Sequence, residues 1–454
     1  MVMKTFPFRL LVAALALTFV AGRAAPGAGQ SDVAAADTSW PQWRGPLATG
    51  AAPSGDPPSS WSETENLRWK VEIPGFGQAS PIVWGDRVFV LTAIPAGPGD
   101  DSGGGFFSRL RRRFMGTVRS GDLLDFMVLA MDRRHGSVVW ERTAVTEQPH
   151  EGRHNTGSWA SGSAVTDGEV VCAFFGSRGL YCYDMDGNPL WDRDFGDMRI
   201  RMGFGEGASP ALHGDAIVVV WDHEGQSFIT ALDKRTGAEL WRTDRDESTS
   251  WSTPLVVEHA GGAQVVTSAT DGVRGYDFET GELLWEGEGV TTNAIPSPVA
   301  AGGIAYLMSG YRGNRLYAVD LSSARGNISS GRGIVWSLDR DTPYVPSPVL
   351  HDGILYFTKS NSGVLSAYDA ATGQNLYGPL RLSGIRNVYA SPVVAGGRLY
   401  VTSRDGATLV ARAGPEYEIL SMNRLDDGFD ASPAIAGGEI YLRGRQYLYC
   451  IAAE

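Results

Sequence analysis

The stretch Ala390-Ser391-Pro392-Val393-Val394-Ala395-Gly396-Gly397-Arg398-Leu399-Tyr400-Val401-Thr402-Ser403 contains the pattern that decides the fold. A Ser-Pro pair opens an apolar strand, a Gly-Gly turn supplies the positive φ of a tight hairpin, and a second apolar strand follows. The phrase or a close variant occurs eight times, at intervals of 41 to 50 residues apart from one interval of 83. The copies are Ala79-Ser80-Pro81, Gly162-Ser163-Ala164, Ala208-Ser209-Pro210, Ser252-Thr253-Pro254, Pro296-Ser297-Pro298, Pro346-Ser347-Pro348, Ala390-Ser391-Pro392 and Ala431-Ser432-Pro433. A period of this size indicates a propeller or another repeat array.

A second phrase recurs later in each unit and runs from Ala231-Leu232-Asp233 through Thr236-Gly237 to Trp241 in its clearest copy. The Asp side chain accepts turn N–H groups and the Gly takes the left-handed conformation. The aromatic residue is then placed to cover the sheet edge against a neighbouring blade. We therefore expect the recurring tryptophans to have a structural role.

Each unit divides into four strands, and the two ends of the chain complement each other. The last unit stops after three strands, at Cys450-Ile451, whereas Leu67-Arg68-Trp69-Lys70 looks like a fourth strand without the preceding three. Joining them hides both sheet edges. The sequence predicts an all-β, eight-bladed β-propeller of four-stranded blades, closed by an N-terminal strand that completes the last blade.

The first residues predict export. Lys4 and Arg9 precede the apolar run Leu10 to Val20, and small residues follow up to Ala25, a pattern typical of a secretory signal peptide over residues 1–25. Residues 26–66 form a leader segment that contains the motif Trp40-Pro41-Gln42-Trp43-Arg44-Gly45-Pro46, and its first part, to Ala36, has a disordered composition. The propeller is assigned to residues 67–454, with an insertion at about 93–126.

Charge and hydropathy limit the partners and the location. The net charge is −12, and it becomes −15 without Lys4, Arg9 and Arg23, so the chain is a poor ligand for nucleic acid. No later stretch is apolar for long enough to span a membrane. No Cys follows the apolar run, so a lipid anchor is not expected. These observations predict a periplasmic or secreted protein.

The Ala-x-Asp-x-x-Thr-Gly-x-x-x-Trp phrase resembles the tryptophan-docking repeat of two groups of eight-bladed propellers. These are the pyrroloquinoline quinone (PQQ) dehydrogenases and the outer-membrane assembly factor BamB. The resemblance covers about Leu67 to Ala453, and the Trp40 to Pro46 motif is similar to the start of exported PQQ-like repeat proteins. It implies the fold, and it implies either a protein-binding role or oxidation with PQQ and calcium. Function has to be argued from a site, since one fold serves many functions.

Polar loops suggest where chemistry would occur. Connections between blades, and between the second and third strands of a blade, emerge on one face of a propeller. This loop face holds the metal-ligand candidates His150, Glu151, His154, Glu206, Asp222, His223 and Glu224. Imidazole and carboxylate suit transition metals. The alternative is that these groups pair with one another and with Arg153 and Arg201, and so tie the loops down.

Aromatic, amide and guanidinium groups on the same face suggest a pocket for a planar anionic ligand. The candidate ligand-binding residues are Trp251, Asn293, Arg312, Tyr344 and Asn387, with Tyr311, Arg386 and Asp430 as further members. The alternative is that these side chains fill the funnel of the propeller.

Two features bear on a cofactor and on a membrane contact. The three cysteines, Cys172, Cys182 and Cys450, are isolated, whereas the dehydrogenases commonly carry a vicinal pair. Buried free thiols are the favoured interpretation, with a Cys172–Cys182 pair across a hairpin as the alternative. Inside the insertion, Arg109 to Met115 mixes basic and apolar residues and suits a peripheral contact with an anionic membrane or a partner protein. The alternative, and the more frequent one for such a segment, is a solvated lid or helix.

We therefore expect an exported non-catalytic propeller that binds a protein partner or a small ligand on its loop face. The alternative is an oxidoreductase that depends on a metal or on PQQ and has its site among the His and Glu residues of that face.

Overall fold

The computed structural model describes residues 38–96 and 122–453. The predicted signal peptide, the disordered leader expected to Ala36, and the Arg109 to Met115 segment lie outside the described residues. Within these two ranges, no helix combines the length and the apolar sequence that a membrane crossing needs.

Eight antiparallel sheets, each built mainly of four strands, make up the fold, and they are numbered as blades 1 to 8 in chain order. Two strands, β1 (Ala51–Ala52) and β2 (Leu67–Glu72), precede blade 1. Blades 1 and 2 contain β3 (Ile82–Trp84), β4 (Arg87–Pro95), β5 (Leu124–Asp132), β6 (Val138–Glu147), β7 (Val165–Thr166), β8 (Val170–Phe174), β9 (Leu180–Asp184) and β10 (Pro189–Arg193). Blades 3 and 4 contain β11 (Ala211–His213), β12 (Ala216–Trp221), β13 (Ser227–Asp233), β14 (Glu239–Arg245), β15 (Leu255–His259), β16 (Gly262–Thr267), β17 (Gly272–Asp277) and β18 (Leu283–Glu288).

The remaining blades repeat this arrangement. Blades 5 and 6 contain β19 (Val299–Ala301), β20 (Ile304–Ser309), β21 (Arg315–Asp320), β23 (Ile334–Leu338), β24 (Val349–His351), β25 (Ile354–Thr358), β26 (Val364–Asp369) and β27 (Asn375–Arg381), whereas β22 (Gly326–Asn327), which follows β21 in the chain, joins the sheet of blade 4. Blades 7 and 8 contain β28 (Val393–Ala395), β29 (Arg398–Thr402), β30 (Ala407–Arg412), β31 (Ile419–Arg424), β32 (Ala434–Ala436), β33 (Glu439–Arg443) and β34 (Tyr447–Ala452). Short 3-10 helices lie at Gly176–Arg178 and Arg201–Gly203. The all-β, eight-bladed prediction is confirmed.

Closure of the ring joins the two ends of the chain. Strand β2 pairs antiparallel with β34, so blade 8 has the order β2, β34, β33, β32. Two other blades gain a fifth strand: β22 adds parallel to β18, and β1 adds parallel to β28. In blade 1, β4 and β5 remain paired out to Pro95 and Leu124, so the strands continue into the ends of the predicted 93–126 insertion.

A closed belt of eight hydrogen bonds connects the inner strands. The Ser or Thr of each Ser-Pro phrase donates its backbone N–H to the side-chain oxygen of the matching residue in the next blade, over 2.9 to 3.0 Å. The series runs Ser80, Ser163, Ser209, Thr253, Ser297, Ser347, Ser391, Ser432 and returns to Ser80. The repeated phrase therefore does more than start a strand. Its side-chain oxygen accepts a backbone N–H from the neighbouring blade, and that N–H has no acceptor within its own sheet.

The tryptophans connect the blades at larger radius, as expected. Trp191 of blade 2 donates its indole N–H to the carbonyl oxygen of Lys234 in blade 3, over 2.9 Å. Its ring lies on Gly237, where a Cβ would come within 2.5 Å of the indole and where φ is +68°. Four further tryptophans dock in the same way on the next blade: Trp69, Trp140, Trp241 and Trp336. Trp285 differs, since its indole bonds Gln264 of its own blade.

The leader motif lies inside the central channel. Trp40 and Val83 exchange two backbone hydrogen bonds of 2.8 Å, and β1 pairs with the inner strand β28. Arg44 donates from Nη2 to the carbonyl oxygens of Pro348 and Pro392, over 2.7 and 2.9 Å, and joins blades 6 and 7. The described part of the predicted leader, residues 38–66, thus packs within the same fold as the propeller.

Cys172 and Cys182 form a disulfide, so the favoured interpretation of free thiols was wrong for this pair. The two residues lie opposite each other on β8 and β9, with a Cα–Cα distance of 4.1 Å. Direct cross-strand pairing brings the two side chains within bonding reach. Cys450 is a buried free thiol.

The belt predicts the effect of removing one hydroxyl. Ser391→Ala leaves the N–H of Ser347 without its acceptor in a buried position, so the free energy of unfolding should fall by about 1–3 kcal/mol. Ser137→Ala, at an exposed turn position, is the matched control and should change stability by less than about 0.5 kcal/mol. Urea unfolding measures both. Equal stability of the two variants would show that the belt does not hold the blades.

The disulfide predicts a labelling result. Alkylation of the unfolded, non-reduced protein should modify Cys450 alone, because Cys172 and Cys182 are already joined. Reduction before alkylation should add two further labels, read by mass spectrometry. Three labels without a reductant would contradict the pairing.

Candidate functional site

The loop face contains a cup at the mouth of the central channel, with a volume of about 440 Å³. Loops of all eight blades contribute to it, so its walls come from residues that are far apart in the sequence. The lining residues that matter below are Trp43, Gln78, Ser80, His154, Phe204, Glu206, Ser209, Trp251, Tyr311, Tyr344, Tyr389, Asp430 and Ser432.

Half-buried aromatic rings form the walls of the cup. Tyr311 and Tyr344 stack with ring centroids 4.5 Å apart and an interplanar angle of 20°. Trp251 donates its indole N–H to the carbonyl oxygen of Gly205 over 2.7 Å, which fixes the plane of its ring. Tyr389 lies under the guanidinium of Arg404, whose Cζ is 4.1 Å from the ring centroid. The walls are therefore flat, apolar and held in place.

The floor is polar and closed. Trp43 of the channel segment blocks the way down, and the belt residues Ser80, Ser209 and Ser432 surround it. Each of these hydroxyl oxygens accepts a backbone N–H. The cup is therefore a blind site with hydroxyl groups at its base.

Charges at the cup are neutralised by the protein itself. The carboxylate of Asp430, only 4% exposed, is paired with Arg404 and with Arg445. Glu206 accepts hydrogen bonds from the N–H and the hydroxyl of Ser177, over 2.7 and 2.5 Å, and burial raises the pKa of this carboxyl above its usual range. None of the described residues that line the cup is Lys or Arg.

The loop bearing Ser177 depends on a glycine. At Gly176, φ is +58°, and an added Cβ would lie 1.5 Å from Oε2 of Glu206. No other residue type allows this approach together with this backbone conformation.

The predicted ligand-binding residues fall into two groups. Trp251 and Tyr344 line the cup, as do the further members Tyr311 and Asp430. Asn293 is buried and does not line the cup, and Arg312 and Asn387 are exposed and do not line it either. Sequence reasoning missed Tyr389 and Trp43. The motif from Trp40 to Pro46 could have pointed to Trp43, but this motif was assigned to the leader segment and not to the propeller.

Four predicted metal ligands border a side chamber of about 50 Å³, and all four are occupied by protein partners. Glu206 bonds Ser177, and the Glu151 carboxylate accepts the N–H of Ile200 over 3.0 Å. His150 Nε2 lies 2.5 Å from the carbonyl oxygen of Met198. The fourth, Asp222, is held by Arg245 through two hydrogen bonds of 2.8 and 3.0 Å.

The other three predicted ligands also hold loops. His154 Nδ1 is 2.7 Å from the hydroxyl of Thr156, His223 Nδ1 accepts the N–H of Arg199, and Glu224 accepts from Thr249. Among the residues the structure describes, no three His, Cys, Asp or Glu side chains are grouped so that they could hold a metal ion. The partners are mostly backbone groups together with Arg245, and not the Arg153 and Arg201 named in the alternative.

The cup does not fit PQQ. That cofactor carries three carboxylates, and a buried carboxylate needs a cation or several donors to replace its water. No Lys or Arg is among the described residues that line the cup, and the guanidinium of Arg404, which lies over the Tyr389 ring, is already bound to Asp430. The described cysteine pair is a cross-strand disulfide ten residues apart, not a vicinal one.

Comparisons with known proteins identify the family and related folds. A family model described as "Outer membrane protein assembly factor BamB" matches residues 119–225, 180–379 and 225–454. The chain is 26% identical to that factor from Yersinia pestis over 332 residues, which is 69% of the chain and 75% of the relative. Its fold is similar to the crystal structure of BamB from Moraxella catarrhalis, with a TM-score of 0.52, 16% identity, and coverage of 74% and 95%. It is also similar to a europium-containing methanol dehydrogenase, with a TM-score of 0.61, 11% identity, and 91% coverage of each chain. At these identities the structural matches establish the fold.

The Asp222–Arg245 pair predicts a loss of stability on substitution. Asp222→Asn leaves the fully buried guanidinium without its counter-charge, so the free energy of unfolding should fall by about 3–5 kcal/mol. Asp186→Asn, at an exposed turn, is the control. Urea unfolding is the measurement, with metal content determined on the same samples. Unchanged stability together with lost metal would restore the metal hypothesis.

Proposed function

The chain belongs to the BamB family of outer membrane protein assembly factors, and on that premise we propose that it is a non-catalytic scaffold that binds a protein partner through its loop face during outer-membrane protein assembly. The family match over residues 119–454 supports the assembly role. The predicted signal peptide supports a periplasmic location. The geometry of two neighbouring loops supports the choice of face.

The two loops, residues 148–164 and 194–210, support each other through a set of cross-loop contacts. The N–H of His154 donates to the carbonyl oxygen of Phe204 over 2.8 Å, and the two rings meet edge to face at 5.2 Å. The Glu151 and His150 bonds to the backbone of Ile200 and Met198 add further ties. A surface fixed in this way loses little conformational freedom on binding.

An exposed methionine lies at the top of this pair of loops. Met202 is 82% exposed and has φ +55°, a conformation that costs a non-glycine residue about 1 kcal/mol or more. Exposed apolar area held in a strained conformation is a typical feature of a binding surface, and Met adapts to varied partner surfaces. We assign Met202 as the central contact of the proposed partner surface.

The test uses cells of the native host that lack this protein. We expect reduced amounts of folded outer-membrane β-barrel proteins, restored by the unaltered chain and not by Met202→Glu, which puts a charge at the centre of the contact. A loss of about 2 kcal/mol in partner binding is typical for a central residue. Leu240→Glu on β14, where the side chain is 55% exposed, is the matched control and should restore fully.

Both purified variants should unfold at the same urea concentration as the original protein, since both positions are exposed. Normal outer-membrane protein levels in the cells without the protein would overturn the assembly role. Full restoration by Met202→Glu would overturn the choice of surface.

A further inference from the structure

We propose that the cup binds a neutral saccharide unit, which stacks on the aromatic walls and directs its oxygen atoms toward the hydroxyl groups of the floor. This inference goes beyond the scaffold role and does not depend on it. It rests on the shape, charge and hydrogen-bonding capacity of the cup.

The shape is that of a small-molecule site. A volume of about 440 Å³ lies in the usual range for such sites, about 300–1,000 Å³. The channel segment closes the lower end, because Arg44 crosses to blades 6 and 7 and Trp43 faces the cup. A ligand enters from the loop face and stops at the belt.

The charge pattern selects a neutral ligand. Asp430 is already paired with two guanidinium groups, and the carboxyl of Glu206 is satisfied by Ser177. An anion would lose its hydration without meeting a free cation among the lining residues, and a cation would have to compete with Arg404 and Arg445 for Asp430. A neutral ligand avoids both costs.

The walls select a ligand with flat apolar faces. Tyr311, Tyr344, Trp251 and Tyr389 come from different blades and surround the cup with half-buried rings. Tyr and Trp offer a rigid apolar surface together with a polar group at the ring edge. The C–H faces of a pyranose ring fit such surfaces, and its rim of hydroxyl groups fits the polar edges.

The floor selects a ligand with acceptor oxygens. Ser80, Ser209 and Ser432 are 3 to 4% exposed, and each hydroxyl oxygen accepts one backbone N–H. No described residue accepts a hydrogen bond from these three hydroxyl groups, so each has a donor directed toward its surroundings. Three donors grouped at the base of an aromatic cup match a ligand rich in hydroxyl, ether or carbonyl oxygens.

The experiment is calorimetric titration of the full chain with neutral sugars, namely cellobiose, maltose and N,N′-diacetylchitobiose. Glucuronate and glucosamine serve as charged probes, and p-cresol as an aromatic probe without a sugar ring. We expect at least one neutral disaccharide to bind, with the charged sugars at least tenfold weaker. Tyr311→Ala should weaken binding at least tenfold, because it removes one stacking wall.

Tyr417→Ala is the matched control, since Tyr417 is also half-buried and lies outside the cup. It should leave affinity unchanged. Binding of no neutral sugar, equal binding of the charged sugars, binding of p-cresol alone, or equal affinity of the two variants would each overturn the proposal. If Tyr311→Ala fails to fold, Tyr389→Ala takes its place. The outer-membrane protein levels that test the scaffold role should be restored by Tyr311→Ala, so the two proposals fail separately.

Discussion

The belt of eight N–H to hydroxyl hydrogen bonds is the constraint on which the rest of the structure depends. Each bond joins the start of one inner strand to the start of the next, so the series fixes both the radius of the ring and the height of every blade. One such bond contributes only about 1 kcal/mol, but loss of any member leaves a buried donor unsatisfied and opens a closed series. The docked tryptophans fix the blades again at larger radius. Blades held at two radii cannot rotate independently.

A ring of this radius has a central channel, and inner strands present unpaired backbone groups to it. The channel segment satisfies some of them through β1 and through the Trp40–Val83 bridge. Arg44 also fills this space, and its burial is energetically unfavourable. Loss of hydration lowers the pKa of its guanidinium to about 9, and its Nε and Nη1 have no hydrogen-bond partner among the described residues. The backbone of the segment nevertheless forms hydrogen bonds with blades 1, 2, 6 and 7, and Trp40 is fully buried in the core. The floor of the cup is a consequence of that packing.

The fold was predictable because the information that specifies it is local and repeated. The Ser-Pro phrase, its glycine turn and the Asp-to-Trp phrase each act within one blade or between neighbours, so their period reveals the architecture. The partners of the site residues are not local. Trp43 lines the same cup as Asp430, more than 300 residues further on. Arg245, at the end of β14, reaches Asp222 beyond the end of β12 without any motif to mark the pair. The loops before blades 2 and 3 have no period, so their His and Glu residues could be recognised as unusual but not assigned to their partners.

These partners change what the loop face can do. Every His or acidic side chain that a metal would need is bonded to a backbone group or to another side chain, and the strongest pair, Asp222 with Arg245, is completely buried. Such groups are poorly placed to transfer protons or to bind an ion, because each would first have to give up at least one hydrogen bond to its present partner. The same bonds make the loops rigid, and rigidity favours recognition, since it lowers the entropy lost on binding. A face whose His and acidic groups are bonded within its own loops, and which presents Met202 and the aromatic cup to solvent, is suited to holding another molecule in place.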